Sequence, residues 1–298
     1  MNSHQPQLDI LYTSRYEEAL RYAQQGYEPI ECAFGSHGSV LGPLNMDHHG
    51  SEAWREGVAL RACRDHYGAL RSHRCFVVTG TPDADAVLAI VALAGLVPED
   101  KIPSGFYELV NRHDLDPIHM TLLNEPWGEE LLSFQQLESL RRDALSFYRA
   151  VDFLVALLND GLASEQRQQI RHREERRINL AKNSICEELA GRVLFVQSRV
   201  WGFDVWYQQA PVVVSFSQRF QSVTIGCKDT QTAESIFGPG GLLRVFKLLG
   251  EGWGGRESIG GSPRGDTLSF EEARKVAAMV ASVNPDELPV VHKESSAP

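Results

Sequence analysis

The feature that most constrains the fold is a buried-strand pattern followed by an acidic loop and an apolar helical pattern. Residues 75–79 form a compact β-type run without polar alternation, which is typical of a parallel strand covered on both faces. The next loop carries Asp83 and Asp85, and an apolar helical run begins at Ala86. This order makes a βα unit, and open α/β sheets bind ligands beyond the carboxyl ends of their strands. The pattern therefore predicts an α/β fold with a site near the two aspartates.

The rest of the chain changes character along its length, and 298 residues suggest two domains. Apolar residues spaced by three and four between Phe134 and Leu158 predict an amphipathic helix, and Glu165–Leu189 shows a second helical pattern. Strand-like runs follow, among them Asp204–Tyr207. We therefore predict an α/β domain with a parallel sheet at 1–128, a helical connector at 129–190, a smaller α+β domain at 191–284 and a disordered tail at 285–298.

Composition excludes several classes of protein. The net charge of −10 argues against a binder of duplex nucleic acid, which needs many phosphate contacts, although metal ions and a few arginines can still hold a small phosphorylated ligand. The five cysteines are scattered without a C-x-x-C pair, so we expect reduced thiols and a cytoplasmic protein. Residues 1–7 lack the apolar core of a secretory signal, and the longest apolar run, Ala86–Val97, is too short for a bilayer. We expect no membrane partner.

Asp47, His48 and His49 stand side by side and are the strongest candidates for chemistry. Carboxylate and imidazole groups together suit divalent manganese, iron or zinc. Gly50 follows directly and permits a tight turn that lets adjacent side chains converge. The alternative is a turn in which Asp47 caps a helix and the histidines face solvent. We predict a metal site here.

Asp83 and Asp85 are separated by one alanine and follow the predicted strand. Two carboxylates in this position can hold one or two hard cations. The alternative is helix N-capping, since carboxylates are favoured at a helix N-terminus.

A third polar group occupies residues 111–117, where Pro117 disfavours helical geometry at the preceding residue. The alternative is a solvated loop with an aspartate–arginine pair. His37 is a weaker candidate, because its Gly- and Ser-rich surroundings fit either a flexible or a phosphate-facing loop. The candidates here are His37, His113, Asp114 and Asp116 for metal and Arg112 for substrate.

A Gly-rich stretch at 250–265 is the fourth group. Paired glycines let backbone N–H groups approach an anion, and arginine can hold phosphate or carboxylate through two hydrogen bonds. The stretch precedes a predicted helix, whose N-terminus would favour an anion, although a flexible turn is the alternative. The candidate substrate-binding residues are Gly254, Gly255, Arg256, Gly260, Gly261 and Arg264.

Taken together, the four groups resemble the DHH phosphoesterase superfamily, which includes RecJ-like and oligoribonuclease-like proteins. Asp47-His48-His49 matches the name motif, residues 82–86 resemble the Pro-Asp-x-Asp-Ala metal motif, and residues 254–261 resemble the C-terminal Gly-Gly motif. The order of the first two motifs is reversed relative to the family. Thr79 stands where the family has a histidine, and the Gly-Gly motif lacks its usual histidine.

The resemblance implies a metal-dependent phosphoesterase with a two-metal site between its domains. The implied metal is Mn²⁺, or another divalent ion such as Mg²⁺, Fe²⁺ or Zn²⁺. It also implies that His49 binds metal or phosphate and that Arg256, Gly255 and Gly260 hold the distal end of the substrate. The implied substrate is a small phosphorylated molecule or a short single-stranded oligonucleotide, and a homodimer is compatible. The implied ligands are Asp47, His48, Asp83, Asp85 and either Asp114 or Asp116.

The missing histidines favour an alternative, a degenerate family member that binds a nucleotide or metal without turnover. A further alternative concerns the second helical pattern, which carries basic residues on an acidic chain. Such a run is usually a solvated helix face, but it can also be a surface for a partner or a second copy. Its residues are Arg167, Arg171, Arg173, Arg176, Arg177 and Lys182.

Overall fold

The fold is known from a computed structural model, in which the chain divides into two compact units at residues 1–171 and 172–298. The predictions for His49, Asp116 and Arg264 fall outside the described residues. The structure describes residues 8–34, 37–48, 56–68, 74–115, 121–137, 140–190, 192–263 and 267–290.

The first unit is built on a small parallel sheet, in the order β1-β3-β2. Its strands are β1 (Asp9–Tyr12), β2 (Glu28–Ile30) and β3 (Cys75–Val78). Because β3 is central and its last three residues are buried, it needs the continuous apolar sequence that it has. The mixed α/β class predicted from this run is confirmed.

Helices surround this sheet, and α3 is the most deeply placed. Every residue from Asp85 to Leu93 is buried, as expected for a helix that is apolar on all sides. It packs against α2, α4 and α6. The helices of the first unit are α1 (Tyr16–Gln24), α2 (Val58–Asp65), α3 (Ala84–Leu93), α4 (Ser104–Leu115), α5 (Gly128–Gln135) and α6 (Ala144–Asp160), and the next helix, α7 (Ser164–Lys182), contains the boundary between the units.

The predicted connector differs from the structure. Asp143 caps α6 by accepting a hydrogen bond from the Ser146 N–H, at 2.7 Å, and Gly161 ends the helix with a φ of 71°. The apolar face of α6, with Phe147 and Leu154, lies in the core of the first unit. The stripe that predicted an amphipathic helix is thus core packing, and the unit boundary falls after residue 171.

The second unit holds a mixed six-stranded sheet in the order β4-β5-β6-β7-β9-β8, in which β5 and β6 are parallel and the other neighbours are antiparallel. The strands are β4 (Ile185–Leu189), β5 (Val193–Ser198), β6 (Val212–Ser217), β7 (Ser222–Cys227), β8 (Gly254–Gly255) and β9 (Ile259–Gly261). The helices are α8 (Phe203–Trp206), α9 (Thr230–Phe237), α10 (Leu242–Leu249) and α11 (Phe270–Ser282).

Two local predictions in this unit are wrong. The helical pattern predicted to run to Leu189 ends at Lys182, and the residues from Ile185 form β4. The strand predicted at Asp204–Tyr207 is instead the short helix α8. Its Trp206 is fully buried and donates an indole hydrogen bond to the carbonyl oxygen of Ala181, at 2.9 Å. Packing against the end of α7 therefore overrides the strand propensity of these aromatic and β-branched residues.

The basic residues of α7 are partly neutralised inside the protein. Arg167 and Arg171 pair with Glu129, and Arg167 also pairs with Glu130. Arg177 pairs with Glu174 and with a carboxylate of the second unit, Asp204. Three of the six basic residues thus form ion pairs within the protein, which weakens the interpretation of this helix as a partner surface.

The predicted disordered tail is ordered at its start. The guanidinium of Arg244 is buried, and it donates hydrogen bonds to the carbonyl oxygens of Pro285, Leu288 and Pro289, at 2.9, 2.8 and 3.1 Å. Leu288 is itself buried in the core of the second unit. The order therefore extends at least to residue 290, and residues 291–298 lie outside the described part. No helix among the described residues combines the length and apolarity needed to cross a bilayer.

Candidate metal centre

Four side chains of the first unit converge on one point. Glu31, His48, Asp85 and Asp114 each place a possible ligand atom within 4.8 Å of the others. The His48 Nε2 atom lies 3.1 Å from Oε1 of Glu31 and 3.2 Å from Oδ2 of Asp114. Three of the four were predicted from the sequence. These four residues are called the metal cluster below.

The parallel sheet explains how two of them meet. Glu31 follows β2, and Asp85 follows the turn after β3, so both lie beyond the carboxyl ends of neighbouring strands. Glu31 takes a φ of 50°, which is uncommon for a residue other than glycine, and its N–H donates to the Met46 carbonyl oxygen at 2.8 Å. Met46 also bridges to Ile30 in parallel, so its segment extends the edge of the sheet. This extension brings His48, two residues on, to the same edge.

The Asp85 carboxylate is fixed by a neighbouring helix. Its two oxygens accept hydrogen bonds from the N–H groups of Val58, at 2.7 Å, and Ala59, at 3.1 Å, in the first turn of α2. A Cβ atom at Gly57 would lie 2.5 Å from Oδ1 of Asp85, so this approach requires glycine. The Gly57 N–H donates to Oδ1 of Asn111 in α4, at 2.6 Å. The start of α2 thus holds Asp85 in one orientation.

The cluster concentrates negative charge away from water. Burial raises the pKa of Glu31 well above its usual range, and the Asp83, Asp114 and Asp47 carboxylates raise it further. The pKa of Asp85 is also raised well above its usual range, by burial and then by Glu31, Asp114 and Asp83. Buried carboxylates in such proximity are unfavourable unless a proton or cation lies among them.

The hydrogen bonding of the cluster is incomplete. Oε1 of Glu31 and Oδ2 of Asp114 are buried and accept no hydrogen bond from the residues that the structure describes. Both are the oxygens nearest to the His48 Nε2 atom. Buried polar atoms normally have partners, so two such oxygens are suited to accept a cation. Three carboxylates and one imidazole fit a divalent cation, and the cluster could hold a metal ion.

Two predicted ligands lie near the cluster without belonging to it. Asp47 is buried and accepts a hydrogen bond from the hydroxyl of Ser39, and its carbonyl oxygen accepts one from Arg61 at 2.9 Å. Asp83 caps α3 by accepting a hydrogen bond from the Ala86 N–H at 2.9 Å. The capping alternative therefore describes the Asp83 side chain, although its charge still acts on the cluster.

A cavity of about 480 Å³ opens beside the cluster. Asp83, Asp85 and Asp114 line it, together with His113 and apolar residues of the α5 region. The Nε2 atom of His113 makes a hydrogen bond with the Gln135 amide at 2.9 Å, and burial lowers the pKa of this histidine. His113 is thus placed beside the cluster as a neutral wall residue.

Two other candidates of the first unit lie elsewhere. Arg112 is half exposed and pairs with Glu125 at 2.8 Å. His37 is exposed and stacks on Tyr16, with ring centroids 5.7 Å apart, in a second cavity. Neither belongs to the metal cluster.

The Gly-rich stretch lies in the second unit and forms a tight hairpin. Gly254 pairs with Gly261 and Gly255 with Gly260, while the Arg256 N–H donates to Ile259 across the turn at 2.7 Å. A Cβ atom at Gly260 would lie 2.3 Å from a carbonyl oxygen and 2.5 Å from the ring of Phe246. Close packing in the hairpin therefore accounts for this glycine, and substrate binding by the stretch stays a prediction.

Glu31 is the member of the metal cluster that the sequence patterns do not predict. A carboxylate directly after a strand was the available signal, as it was for Asp83 and Asp85. The strand before Glu31 has only three residues and contains Pro29, which is unfavourable in strand interiors and tolerated here because β2 is an edge strand. The sequence pattern therefore hid the strand, and with it the position of the carboxylate.

Comparison with known proteins gives no match to a family model, to a curated protein or to a solved structure. The resemblance to DHH phosphoesterases therefore depends on the residues described above and stays a hypothesis.

Proposed function

We propose that the first unit is a metal-dependent phosphoesterase that acts on short oligonucleotides or other small phosphorylated molecules. The observation that carries the proposal is the metal cluster, in which two buried carboxylate oxygens accept no hydrogen bond from the described residues. The resemblance of Asp47-His48-His49 to the DHH motif directs the proposal toward phosphoester chemistry and Mn²⁺, with Mg²⁺, Fe²⁺ and Zn²⁺ as alternatives.

The residues around the cluster would have separate roles in binding the ion and the substrate. Glu31, His48, Asp85 and Asp114 would hold the ion, and the α2 amide groups keep Asp85 in place, as outer contacts commonly do at metal sites. A bound divalent ion supplies positive charge for the phosphoryl oxygens and makes a bound water more acidic. The cavity of about 480 Å³ is in the size range of small-molecule sites.

Cysteine nucleophiles fit the geometry less well. Cys32 and Cys63 are buried in the first unit, and burial raises the pKa of each thiol to about 12. The thiolate is the reactive form, so these two cysteines are poor nucleophiles near neutral pH. This supports a mechanism in which the substrate is attacked by water.

The proposal is tested by metal content and turnover in one set of variants. Full-length protein prepared without chelator is analysed for metals by mass spectrometry, then assayed with Mn²⁺ on bis-p-nitrophenyl phosphate and a short oligonucleotide. Asp114→Asn should weaken Mn²⁺ binding by about tenfold or more, since changes near a metal typically cost 10- to 100-fold. Asp100→Asn, at an exposed carboxylate of the same unit, is the matched control and should bind Mn²⁺ like the wild type.

Equal Mn²⁺ binding by wild type and Asp114→Asn would reject the metal cluster as a metal site.

One observation favours the alternative of binding without turnover. Both oxygens of Asp85 already accept amide hydrogen bonds, and Asp83 caps α3, so two predicted ligands have structural roles. Tight Mn²⁺ binding without hydrolysis of either substrate, under several divalent metals, would support that alternative and reject the enzyme.

A further inference from the structure

A second cavity opens at the same edge of the first unit's sheet. It has a volume of about 550 Å³. Its wall includes Tyr12, the last residue of β1, and Thr79, which directly follows β3, so it lies at the carboxyl ends of two adjacent parallel strands. The lining residues that carry the argument are Arg15, Tyr16, Phe34, His37 and Arg142.

Aromatic rings form one wall of this cavity. The rings of Tyr16 and His37 are 5.7 Å apart and inclined by 31°, and Phe34 meets Tyr16 edge-on at 6.0 Å. Tyr16 and Phe34 also pack on the small core around Ala19, which is a structural role. That role does not account for His37, which is exposed. Aromatic faces of this kind stack on nucleobases.

Arginines outnumber carboxylates in the lining of the cavity, on a protein of net charge −10. Arg15 and Arg142 line it, against one carboxylate, Glu17. Arg15 already pairs with Glu18 at 3.2 Å. Arg142 is exposed and forms no ion pair or hydrogen bond with the part of the chain that the structure describes. The guanidinium N–H groups of Arg142 are therefore available to donate two parallel hydrogen bonds to a phosphate group.

The cavity and the metal cluster are close along the chain. Ala33 lines the cavity two residues after Glu31, and Gly80 lines it five residues before Asp85. An extended chain covers at most about 7 Å in two residues and about 18 Å in five. One small phosphorylated molecule can therefore contact both places.

We propose that this cavity binds a nucleoside monophosphate group at one end of the substrate. The base lies against Tyr16 and His37, and Arg142 holds the terminal phosphate. The inference rests on the proposed phosphoesterase function and deepens it, because it places a substrate-binding site in the first unit, independent of the Gly-rich hairpin. It also predicts that nucleotide binding by this site does not need the metal ion.

The experiment measures binding of AMP to the full chain in EDTA by isothermal titration calorimetry. Arg142→Ala should weaken binding about tenfold or more, since hydrogen bonds to charged groups typically contribute that much. Arg141→Ala removes the same charge from the adjacent exposed arginine, which does not line the cavity, and should change the Kd less than twofold. His37→Ala should weaken AMP binding about fivefold or more through lost stacking. Adenosine and inorganic phosphate should each bind more weakly than AMP.

The Asp114→Asn variant separates this inference from the proposed function. AMP binding that persists in this variant supports the cavity even if no hydrolysis is ever detected. Absence of AMP binding at millimolar concentration, or an equal Kd for Arg142→Ala and Arg141→Ala, overturns the cavity while leaving the metal cluster untouched. Inorganic phosphate binding as tightly as AMP overturns the nucleotide assignment. Thermal melts of each variant verify that it is folded.

Discussion

The metal cluster of the first unit and the Gly-rich hairpin of the second both contain residues that resemble motifs of one superfamily. The hydrogen bonding and packing around these residues differ between the two places. In the cluster, motif residues meet buried oxygens of Glu31 and Asp114 that accept no hydrogen bond from the described residues. In the hairpin, the strand ladder and the ring of Phe246 explain Gly260. A motif gains functional weight where its residues converge with buried polar groups that folding leaves unsatisfied, and loses weight where packing already requires its residues.

The largest expected effect is on the cluster side of this comparison. Asp85→Ala removes the acceptor of two amide hydrogen bonds in α2 and should lower the free energy of unfolding by about 3 kcal/mol. Asp83→Ala removes a helix cap and should cost about 1 kcal/mol. Urea unfolding of both variants measures the difference. Equal losses would mean that Asp85 is no more than a second cap.

The next effect concerns the metal ion that we propose for the cluster. Mn²⁺ at 100 times its Kd should stabilise the wild type by about 2.7 kcal/mol, because an ion that binds only the folded state shifts the unfolding equilibrium. Thermal melts with and without Mn²⁺ measure this shift, and Asp114→Asn should abolish it. If no divalent metal changes the melting temperature of the wild type, the cluster does not bind metal and has only a structural role, like the hairpin.

On the hairpin side, packing predicts a smaller but distinct effect. Gly260→Ala would place a Cβ atom 2.5 Å from the Phe246 ring and should destabilise the protein by about 2 kcal/mol. Gly254→Ala meets no atom within 4 Å and should cost under about 0.5 kcal/mol. If Gly260→Ala proves as stable as Gly254→Ala in urea, packing is not the reason for this glycine, and its predicted role in binding regains support.

The smallest effect is a pH dependence at Glu28, which is buried in β2 and accepts a hydrogen bond from the Leu44 N–H at 3.0 Å. Burial raises the pKa of Glu28 from 4.5 to about 7. The folded state therefore holds this proton more tightly, and its stabilising effect is complete below pH 4.5 and lost as the pH rises through 7.

The matched measurement compares wild type and Glu28→Gln in urea at pH 5.5 and 7. The wild type should lose on the order of 1 kcal/mol more than the variant between these values. Identical pH profiles would contradict a raised pKa at this position. Because the segment held by Glu28 leads to His48, the result also shows whether the approach to the cluster responds to pH.

Local sequence patterns predict part of the fold and part of the candidate site. The βα unit, His48, Asp85 and Asp114 were identified because strand periodicity and dense polar residues are visible in a short window. Glu31 was missed because the strand before it is too short and contains Pro29. The fate of Asp204–Tyr207 could not be predicted either, since it depends on Trp206 contacting α7, which is distant in sequence.

The contacts of Arg244 carry a consequence for protein engineering. A chain cut after Asn284 would lose three carbonyl groups that bind this buried guanidinium, along with the apolar anchor of Leu288. Only the Phe237 carbonyl oxygen would remain as a partner, and a buried cation that loses most of its partners is strongly unfavourable, so such a truncation should reduce soluble expression. An affinity tag belongs after residue 290, where it leaves this arginine and its carbonyl partners intact.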